Sequence, residues 1–293
     1  MTRLNVRPGV HASTIDGVFT MRVDQPLPRA PVFYETGVVF VLQGSKQGFL
    51  GGEAFRYDPS HYLVLSNAMP FECITLPAGT GRSMLGLRVT PDMATIGELM
   101  TKLENEPPAG DALRRAVQAA PMEAPLAESV ARLVEALESR RDADVLGKSA
   151  VREVLYRVLI GEHGQGLRTL ARLNGKHARI GRTVARLRER FAEPVDVQQL
   201  AAEAAMGLST FHECFRAVTQ STPVQYVKEI RLHKARELMA VEGLGVAEAA
   251  RAVGYQSPSQ FGRDFRKFFG QPPTGEVRLY RELHGLGATT PSQ

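Results

Sequence analysis

The sequence predicts an α+β protein in two parts: an N-terminal β-barrel or sandwich covered by helices, and an all-α C-terminal part with two helix-turn-helix units. Three observations lead to this prediction. Short runs rich in β-branched and aromatic residues lie between residues 19 and 89, and amphipathic helical patterns follow. One further pattern occurs twice between residues 195 and 281. At 293 residues and 43% hydrophobic content, the chain is long enough for two globular domains.

Seven short runs predict the strands of the N-terminal part. They are rich in Val, Leu, Phe and Tyr, and Gly, Pro, Asn or Asp separates them, which is typical of an antiparallel sandwich or small barrel. Residues 38–42 and 62–65 are apolar at every position, so both faces of the sheet need a cover. The runs are FTMRVD, VVFVLQ, KQGFLGG, AFRYD, HYLVLS, FECITL and SMLGLRV.

Three amphipathic segments after Thr90 predict the helices that supply this cover. The segments are PDMATIGELMTKLE, LAESVARLVEALESR and ADVLGKSAVREVLYRVLIGEH. Apolar stripes at helical spacing lie on the last two, at Leu126, Val130, Leu133, Val134 and Leu137, and at Val151, Leu155, Val158 and Leu159. Such stripes pack either on the barrel or on a second subunit. We favour the barrel for the stripes as a whole, and expect part of them to pair subunits.

A glycine-rich segment predicts a linker between the two parts. Gly161, Gly164 and Gly166 interrupt the preceding helix, so a hinge is expected near residues 161–176. We therefore divide the chain into residues 1–162, a linker at 163–176, and residues 177–285. The next predicted helix runs from residue 180 to 191. Some of the arginines that it carries are expected to meet phosphates and the rest to be solvated: Arg179, Arg182, Arg186 and Arg188.

The C-terminal part contains one pattern written twice. Matching residues lie 50 apart after the turn and 49 apart before it, so the second turn holds one additional residue between Ala250 and Phe261. Each copy has a short Ala-rich helix, a turn and a second helix, which is the arrangement of a helix-turn-helix unit. The matched pairs are Phe211 with Phe261, Phe215 with Phe265, Pro223 with Pro273, and Val197 with Val246.

The second helix of each copy has one apolar and one polar face. A buried stripe is predicted at Phe211, Cys214, Phe215 and Val218. The opposite face has short polar side chains and arginines, which suit contacts with base edges in a major groove. For a single helix of this kind, a face that is merely solvated is the alternative. Two copies in tandem favour the groove. The polar faces hold Ser209, His212, Glu213 and Arg216, and then Ser259, Gly262, Arg263, Arg266 and Lys267.

Residues 222–239, between the two copies, predict a connecting helix. Pro223 suits the first turn, and strong helix formers follow. Eighteen residues at about 1.5 Å each span about 27 Å. The two polar helix faces would then lie about 34 Å apart, which is one turn of B-DNA.

The net charge of +5 lies entirely in the C-terminal part. Residues 1–175 hold 19 Lys and Arg against 19 Asp and Glu, whereas residues 176–293 hold 17 against 12. A basic half that also carries the tandem units fits a phosphate-binding surface, and an ordinary basic surface is the alternative.

The tandem part resembles the DNA-binding domain of the AraC/XylS family of bacterial transcription regulators. The likeness rests on LAAEAAMGLSTFHECF, STPVQYVKEIRLHKARELM and AEAARAVGYQSPSQFGRDFRKFFGQPP, and covers about 110 residues. Gly207, Gln220 and Glu213 depart from the residues common in that family. The resemblance implies base contacts by Ser209, His212, Glu213, Ser259, Gln260, Gly262 and Arg263. Phosphate contacts are expected from Arg182, Arg216, Arg266 and Lys267.

The N-terminal part resembles the AraC-type N-terminal domain, a cupin-like barrel used for sensing and dimerisation. Residues 31–76 and the segment VREVLYRVLIGEHG carry this likeness. It implies an apolar pocket for a small-molecule effector. The partners implied are double-stranded promoter DNA, RNA polymerase and a second copy of the chain, with activation as the expected outcome.

Polar residues in the predicted strands are the candidates for contacting the effector. They are Arg22, Glu72 and Arg88, for which a solvated side chain or a structural ion pair is the alternative, and the lone His61, for which the alternative is a hydrogen-bonded strand histidine. Metal-binding cupins carry two closely spaced His and a Glu, which this sequence lacks, so no metal is expected. Cys73 is expected to be buried and inert rather than a reactive sensor.

Other classes of protein are disfavoured by what the sequence lacks. It has no phosphate-binding Gly loop, nucleophile elbow or paired catalytic carboxylates, so neither an enzyme nor a cofactor is expected. Its two cysteines lie in different predicted domains, and no apolar run predicts a membrane span or secretion signal, which indicates a cytoplasmic protein. Two alternatives stay open: an effector-free architectural DNA-binding dimer, and a cupin metalloenzyme fused to a DNA-binding module.

Overall fold

A computed structural model of the chain describes residues 7–103, 116–161, 164, 167–168 and 176–284. Its N-terminal part is a β-sandwich. The strands are β1 Gly9–Ala12, β2 Val18–Val23, β3 Leu27–Tyr34, β4 Gly37–Gln43, β5 Ser45–Leu50, β6 Glu53–Tyr57, β7 His61–Leu65, β8 Met69–Leu76, β9 Met84–Val89 and β10 Val117–Pro121.

The strands form two antiparallel sheets. One sheet has the order β1-β2-β9-β4-β7-β10 and the other has the order β3-β8-β5-β6. The sequence is compatible with a sandwich and with a barrel, and the structure decides for the sandwich. It also adds β10, which pairs with β7 through Val117 opposite Leu65. The segment Val-Gln-Ala-Ala-Pro has too little β-branched or aromatic content to predict a strand, so only its pairing reveals it.

The six-stranded sheet is buried on both faces, as its apolar runs predict. In β4, Val39 and Val41 point into the sandwich, whereas Val38 and Phe40 point outward and pack under helices. Those helices are α1 Met93–Lys102, α2 Ala124–Ala136 and α3 Arg140–Ile160. The predicted stripes of α2 and α3 are largely buried here, including Leu133 and Leu155, which confirms that they pack on the sheet.

The C-terminal part is all helical, as predicted. Its first helix, α4, spans Lys176–Glu189 and so begins four residues before the predicted start. Of the linker predicted at residues 163–176, only residues 164, 167, 168 and 176 belong to the described residues, so the prediction stays open. The following helices are α5 Val197–Glu203, α6 Leu208–Thr219, α7 Pro223–Val241, α8 Val246–Ala252, α9 Pro258–Phe269 and α10 Pro273–His284.

The first helix-turn-helix unit, α5 and α6, shares one apolar core with the sandwich. This shared core runs without a break from Leu63 and Phe71 in the strands to Phe215 and Tyr226 in the helices. At the junction, the Tyr226 hydroxyl donates to the carbonyl oxygen of Ala68 at 2.5 Å. The second unit, α8 and α9, has a separate core. The first unit is therefore part of the sandwich in packing terms, whereas the second unit has its own core and meets the sandwich only at its border, where α9 contacts β3.

Polar contacts reinforce this junction. Arg188 of α4 forms an ion pair with Glu35, which follows β3. The backbone N–H of Ala116 donates to the carbonyl of Val218 at 3.1 Å. Among the helices of the described residues, none is long and apolar enough to cross a membrane.

Candidate nucleic-acid interface

The two helix-turn-helix units have complementary capping. In the first, the Asp196 carboxylate caps α5 by accepting from two backbone N–H groups, whereas Gly207 begins α6 without a side-chain cap. In the second, Gly245 begins α8 without a side-chain cap, and the Ser257 hydroxyl caps α9 by accepting from the N–H of Gln260. The first unit therefore has a side-chain cap only on its first helix, and the second unit has one only on its second helix.

The turns differ by one residue, as the change of offset predicts. Four residues, 204–207, separate α5 from α6, and five residues, 253–257, separate α8 from α9. Both turns need a left-handed residue: Ala205 has φ of 49° in the first, and Gly254 has φ of 87° in the equivalent place of the second. A side chain in this conformation costs about 1–2 kcal/mol. The second turn is therefore the less strained of the two.

The helices α6 and α9 also end differently. Gln220 ends α6 with φ of 57°, whereas Gly270 ends α9 with φ of 80°. Glycine is the usual residue in this left-handed position because it lacks a Cβ. We expect Gln220→Gly to raise the free energy of unfolding by about 1 kcal/mol, measured by urea denaturation. Gln220→Ala is the control, because it removes the same side chain and keeps the left-handed strain; equal stability of both variants would contradict this account.

The polar faces of α6 and α9 are open to solvent while their apolar faces are buried. Phe211, Phe215, Phe261 and Phe265 have no exposed surface. The residues predicted to contact bases lie together on the opposite faces. Ser209, His212 and Glu213 are exposed on α6, and Ser259, Gln260 and Arg263 are exposed on α9, with Gly262 half-buried.

Arg263 already has an orienting contact. Its Nη2 donates to the Gln260 side-chain oxygen at 2.6 Å, one helical turn earlier. A guanidinium has five N–H donors in a fixed fork, and this contact occupies one of them. An arginine in this position suits a guanine, whose O6 and N7 accept two parallel hydrogen bonds.

Four cations flank these faces and are exposed: Arg182, Arg216, Arg266 and Lys267. For the last three, no carboxylate partner occurs within the described ranges. The other arginines of α4 serve internal contacts instead. Arg186 pairs with Glu203, Arg188 pairs with Glu35, and Arg179 donates to the carbonyl of Ala205 at 3.2 Å. Of the four arginines of α4 that the sequence marks as candidates for phosphate contact, only Arg182 keeps that contact as its expected role.

The connecting helix α7 is fixed to both units by buried or half-buried polar contacts. Arg231 donates to the carbonyl oxygens of Phe191 and Glu193, just beyond α4, at 2.7 Å each. On the other side, Lys228 pairs with Asp264 of α9 at 2.7 Å. Burial alone would raise the pKa of Asp264, but hydrogen bonds, first from Lys228, hold that pKa below its ordinary value. The carboxylate is therefore charged at neutral pH, and this connection is maintained.

A second pair of contacts fixes the far end of α7. Arg236 pairs with Glu276 of α10 at 2.8 Å, with only 12% and 10% of the two side chains exposed. Arg281 donates to the carbonyl oxygens of Met239 and Ala240, which end α7, at 2.9 and 2.7 Å. Charge-assisted hydrogen bonds of this kind are stronger than neutral ones. Together these contacts fix α10 against the C-terminal half of α7.

Three of the four predicted effector residues lie on the outer surface of the sandwich. Arg22 pairs with Asp24 at 2.7 Å, and Glu72 pairs with Arg29 at 2.5 Å. His61 is exposed at the start of β7. Its ring nitrogen lies 3.6 Å from the Asp58 carboxylate. Across the described residues, no group of three His, Cys, Asp or Glu lies close enough to hold a metal ion. Cys73 and Cys214 are both buried thiols, and neither forms a disulfide.

The fourth candidate, Arg88, faces the sandwich interior, and a second interior cation was missed. Arg88 lies on the same side of β9 as Met84, with its guanidinium 4.1 Å from the ring of Phe19. Lys46 in β5 is only 8% exposed. The sequence does not predict that Lys46 points inward. Phe49 lies on the opposite face of the same strand, and an aromatic residue would be expected to take the inward face.

A glycine explains the reversed orientation of β5. A Cβ on Gly48 would lie 2.2 Å from the ring of Phe55, so the inward position of β5 at Gly48 leaves room for that ring. Lys46 shares the side of Gly48 and therefore points inward. Phe49 points outward and lies under the guanidinium of Arg29, at 4.0 Å from the ring centroid.

Comparisons with known proteins agree with this architecture. A family model described as the N-terminus of AraC-type transcriptional regulators matches residues 14–166, which is more than half of the chain. The chain belongs to the AraC-type transcriptional regulators. A second model, described as a helix-turn-helix domain, matches residues 200–278.

Relatives of this AraC-type regulator among characterised proteins match it over part of their length. The HTH-type transcriptional activator RhaS of Escherichia fergusonii is 31% identical over 158 residues, which cover 53% of this chain and 55% of RhaS. The RCS-specific HTH-type transcriptional activator RclR of Escherichia coli is 34% identical over 102 residues, covering 35% of this chain and 36% of RclR. The chain thus spans about half or less of the length of these relatives.

The whole AraC-type chain has a solved structural counterpart. The apo form of a single-site variant of ToxT from Vibrio cholerae aligns with a TM-score of 0.62 over 91% of this chain and 99% of ToxT. The sequence identity is 11%, so this likeness concerns the fold alone.

Proposed function

We propose that this AraC-type chain is a sequence-specific activator of transcription that binds promoter DNA through α6 and α9 and responds to a small-molecule effector in the sandwich. The observation that carries the proposal is the pair of exposed polar helix faces held by one connecting helix. The 19 residues of α7 span about 28 Å at about 1.5 Å each, a length that supports binding of the two units in successive major grooves.

The partners follow from this proposal. RhaS and RclR are named transcriptional activators, which supports activation and hence RNA polymerase as a partner here. A homodimer is proposed because regulator sites commonly mirror a protein two-fold axis. The role is not enzymatic, and its place is the cytoplasm, where bacterial promoter DNA is found.

Recovery of bound genomic DNA tests the function directly. The full chain would be crosslinked in cells and immunoprecipitated, and the recovered fragments sequenced. We expect a recurring site with two short conserved blocks about one helical turn apart. Diffuse recovery without a motif would contradict sequence-specific binding and favour an architectural DNA binder.

Two variants of α9 separate base recognition from phosphate contact. Arg263→Ala is expected to lose about 1–3 kcal/mol of discrimination between the recovered site and one with the contacted guanine replaced. Lys267→Ala is expected to weaken both sites equally and to reduce the salt slope by about one phosphate. Fluorescence anisotropy at several salt concentrations measures both quantities. Unchanged relative affinity in Arg263→Ala would remove this residue from base contact.

A further inference from the structure

A cavity of about 230 Å³ lies between the sandwich and α4, outside the sandwich interior. Three connections of the sandwich form one wall: Thr36 lies between β3 and β4, Asn67 between β7 and β8, and Thr90 between β9 and α1. α4 forms the opposite wall. The cavity is smaller than the pockets of drug-sized ligands, which measure about 300–1,000 Å³, so it fits a molecule of about one ring.

Asn67 brings an unpartnered carboxamide to this cavity. Only 4% of the residue is exposed. Its side-chain nitrogen is sealed from solvent without a hydrogen-bond acceptor, and its side-chain oxygen accepts no hydrogen bond within the described ranges. Buried amides are almost always hydrogen-bonded, because a polar group removed from water without a partner is costly. A buried carboxamide with both ends free therefore points to a ligand that pairs with it.

A glycine of α4 keeps this carboxamide accessible. An added Cβ on Gly181 would lie 3.2 Å from the side-chain oxygen of Asn67, which is closer than an ordinary van der Waals contact. Glycine inside a helix is less stable than alanine. The space that Gly181 leaves beside the oxygen is thus kept at a cost to α4.

The other groups around the cavity are apolar or carry no net charge. Pro91 and Val184 are buried apolar residues of the lining, and Thr90 adds a hydroxyl. Arg188 lines the same cavity, but its charge is balanced by the ion pair with Glu35. It therefore offers N–H donors without an unpaired positive charge. These surroundings suit a neutral molecule better than an anion.

We propose that this cavity binds a small neutral ring with an amide edge, in which a carbonyl stands beside an N–H, as in a lactam or a pyrimidinone. The ligand carbonyl accepts from the Asn67 nitrogen while the ligand N–H donates to the Asn67 oxygen, so both free ends of the carboxamide are satisfied. The apolar atoms of the ring contact Pro91 and Val184. This site goes beyond the proposed function, in which the effector occupies the sandwich interior.

A ligand in this cavity joins the two parts of the chain. It contacts the strand connections on one side and α4 on the other, next to the ion pair between Arg188 and Glu35. The cavity exists only while α4 is docked on the sandwich, so the ligand stabilises the docked arrangement by mass action. α4 also carries Arg182, which is proposed to contact phosphate, and its position is thereby fixed.

Ligand-observed NMR titration of the full chain with matched small molecules tests the proposal. The probes are pyrrolidinone, piperidinone and uracil, each compared with its N-methylated analogue, and the two lactams also with the lactones of equal ring size. Titration extends to about 10 mM, because molecules of this size reach only modest affinity. We expect at least one parent compound to bind, with its N-methylated analogue about tenfold or more weaker. The parent should also raise the melting temperature of the chain.

Three variants locate the binding. Asn67→Leu keeps the approximate volume and removes both hydrogen-bonding atoms, so it should weaken the parent compound about tenfold or more. Gly181→Ala places a methyl group against the Asn67 oxygen and should weaken it about threefold or more. Gly97→Ala is the matched control. It makes the same substitution inside α1, where a Cβ would meet nothing within 4 Å, and should leave the affinity unchanged.

Three results would overturn the proposal: no parent compound binds, the N-methylated analogues bind as well as the parents, or Asn67→Leu keeps full affinity. The melting temperature of free Asn67→Leu controls for folding, and it should not fall, because the variant removes an unpartnered buried amide. If Asn67→Leu does not fold, Gly181→Ala decides, and an effect equal to that of Gly97→Ala then refutes the site. DNA binding of the same preparations is measured separately. Loss of ligand binding with intact DNA binding refutes this site and leaves the proposed function standing.

Discussion

Inserting about five base pairs between the two conserved blocks of the operator is expected to lower affinity by about 100-fold or more. Half a turn of B-DNA moves the second block to the opposite side of the duplex. The two units cannot follow, because Arg231 fixes α7 to the end of α4 while Lys228 fixes it to α9. Only one unit then contacts its bases. The affinity falls toward that of non-specific binding, which is about 10³-fold or more weaker than specific binding.

Anisotropy titrations with labelled duplexes measure this loss. The control duplex keeps the spacer length and changes its base sequence, which should leave affinity nearly unaltered. A second protein, Lys228→Met, loses the contact to Asp264 but keeps the core that joins α7 to α9, so it should bind the normal site less tightly and remain as intolerant of the longer spacer. A loss of less than about threefold for the unchanged chain would mean that the units move independently.

Replacing Gly254 with alanine is expected to destabilise the second unit by about 3 kcal/mol or more. Its φ of 87° is strained for any residue with a side chain, and an added Cβ would lie 2.2 Å from the backbone oxygen of Ala192. Backbone strain contributes about 1–2 kcal/mol, and overpacking against main chain contributes about 1–3 kcal/mol. The neighbouring atom is backbone and cannot rotate away.

Urea denaturation and affinity for the block bound by α9 measure this effect. Gly243→Ala is the matched control, because Gly243 has φ of 75° but a Cβ there would meet nothing within 4 Å. That control should cost about 1–2 kcal/mol, from backbone strain alone. Equal effects of the two substitutions would show that the contact with Ala192 adds no cost.

The C-terminal part was predictable because its determinants are local. The apolar spacing of Phe211, Phe215, Phe261 and Phe265 fixes which helix faces are buried, and the change of offset fixes the longer second turn. Sequence periodicity carries this kind of information directly. The exposure of the predicted base-contacting residues follows from the same pattern.

The interior of the sandwich was less predictable because its determinants are not local. Lys46 points inward since Gly48 makes room for a ring on the neighbouring strand, and no pattern within β5 signals this. β10 is a strand only through its pairing with β7. The hydrogen bond between Tyr226 and Ala68 joins residues 158 positions apart. Local propensity and alternation say nothing about contacts of this separation.

The arginines of α4 illustrate the same limit. Four cations near one helix look alike in sequence, yet Arg186 and Arg188 are held by carboxylates on different elements. Only the packing of α4 between the sandwich and the first unit distinguishes a structural arginine from one left for DNA.

The shared core constrains how regulators of this architecture can be recombined. A cut at the glycine-rich segment separates the halves in sequence, but it leaves Phe215 and Tyr226 facing a sandwich that must match them. In a hybrid that joins this sandwich to the tandem units of another regulator, the new helices would not match the sandwich surface at Ala68, whose carbonyl accepts from the Tyr226 hydroxyl in this chain. The second unit, with its own core, is the more separable module in this chain, although its contact with β3 through α9 must also be matched, and the first unit has to be kept with its sandwich.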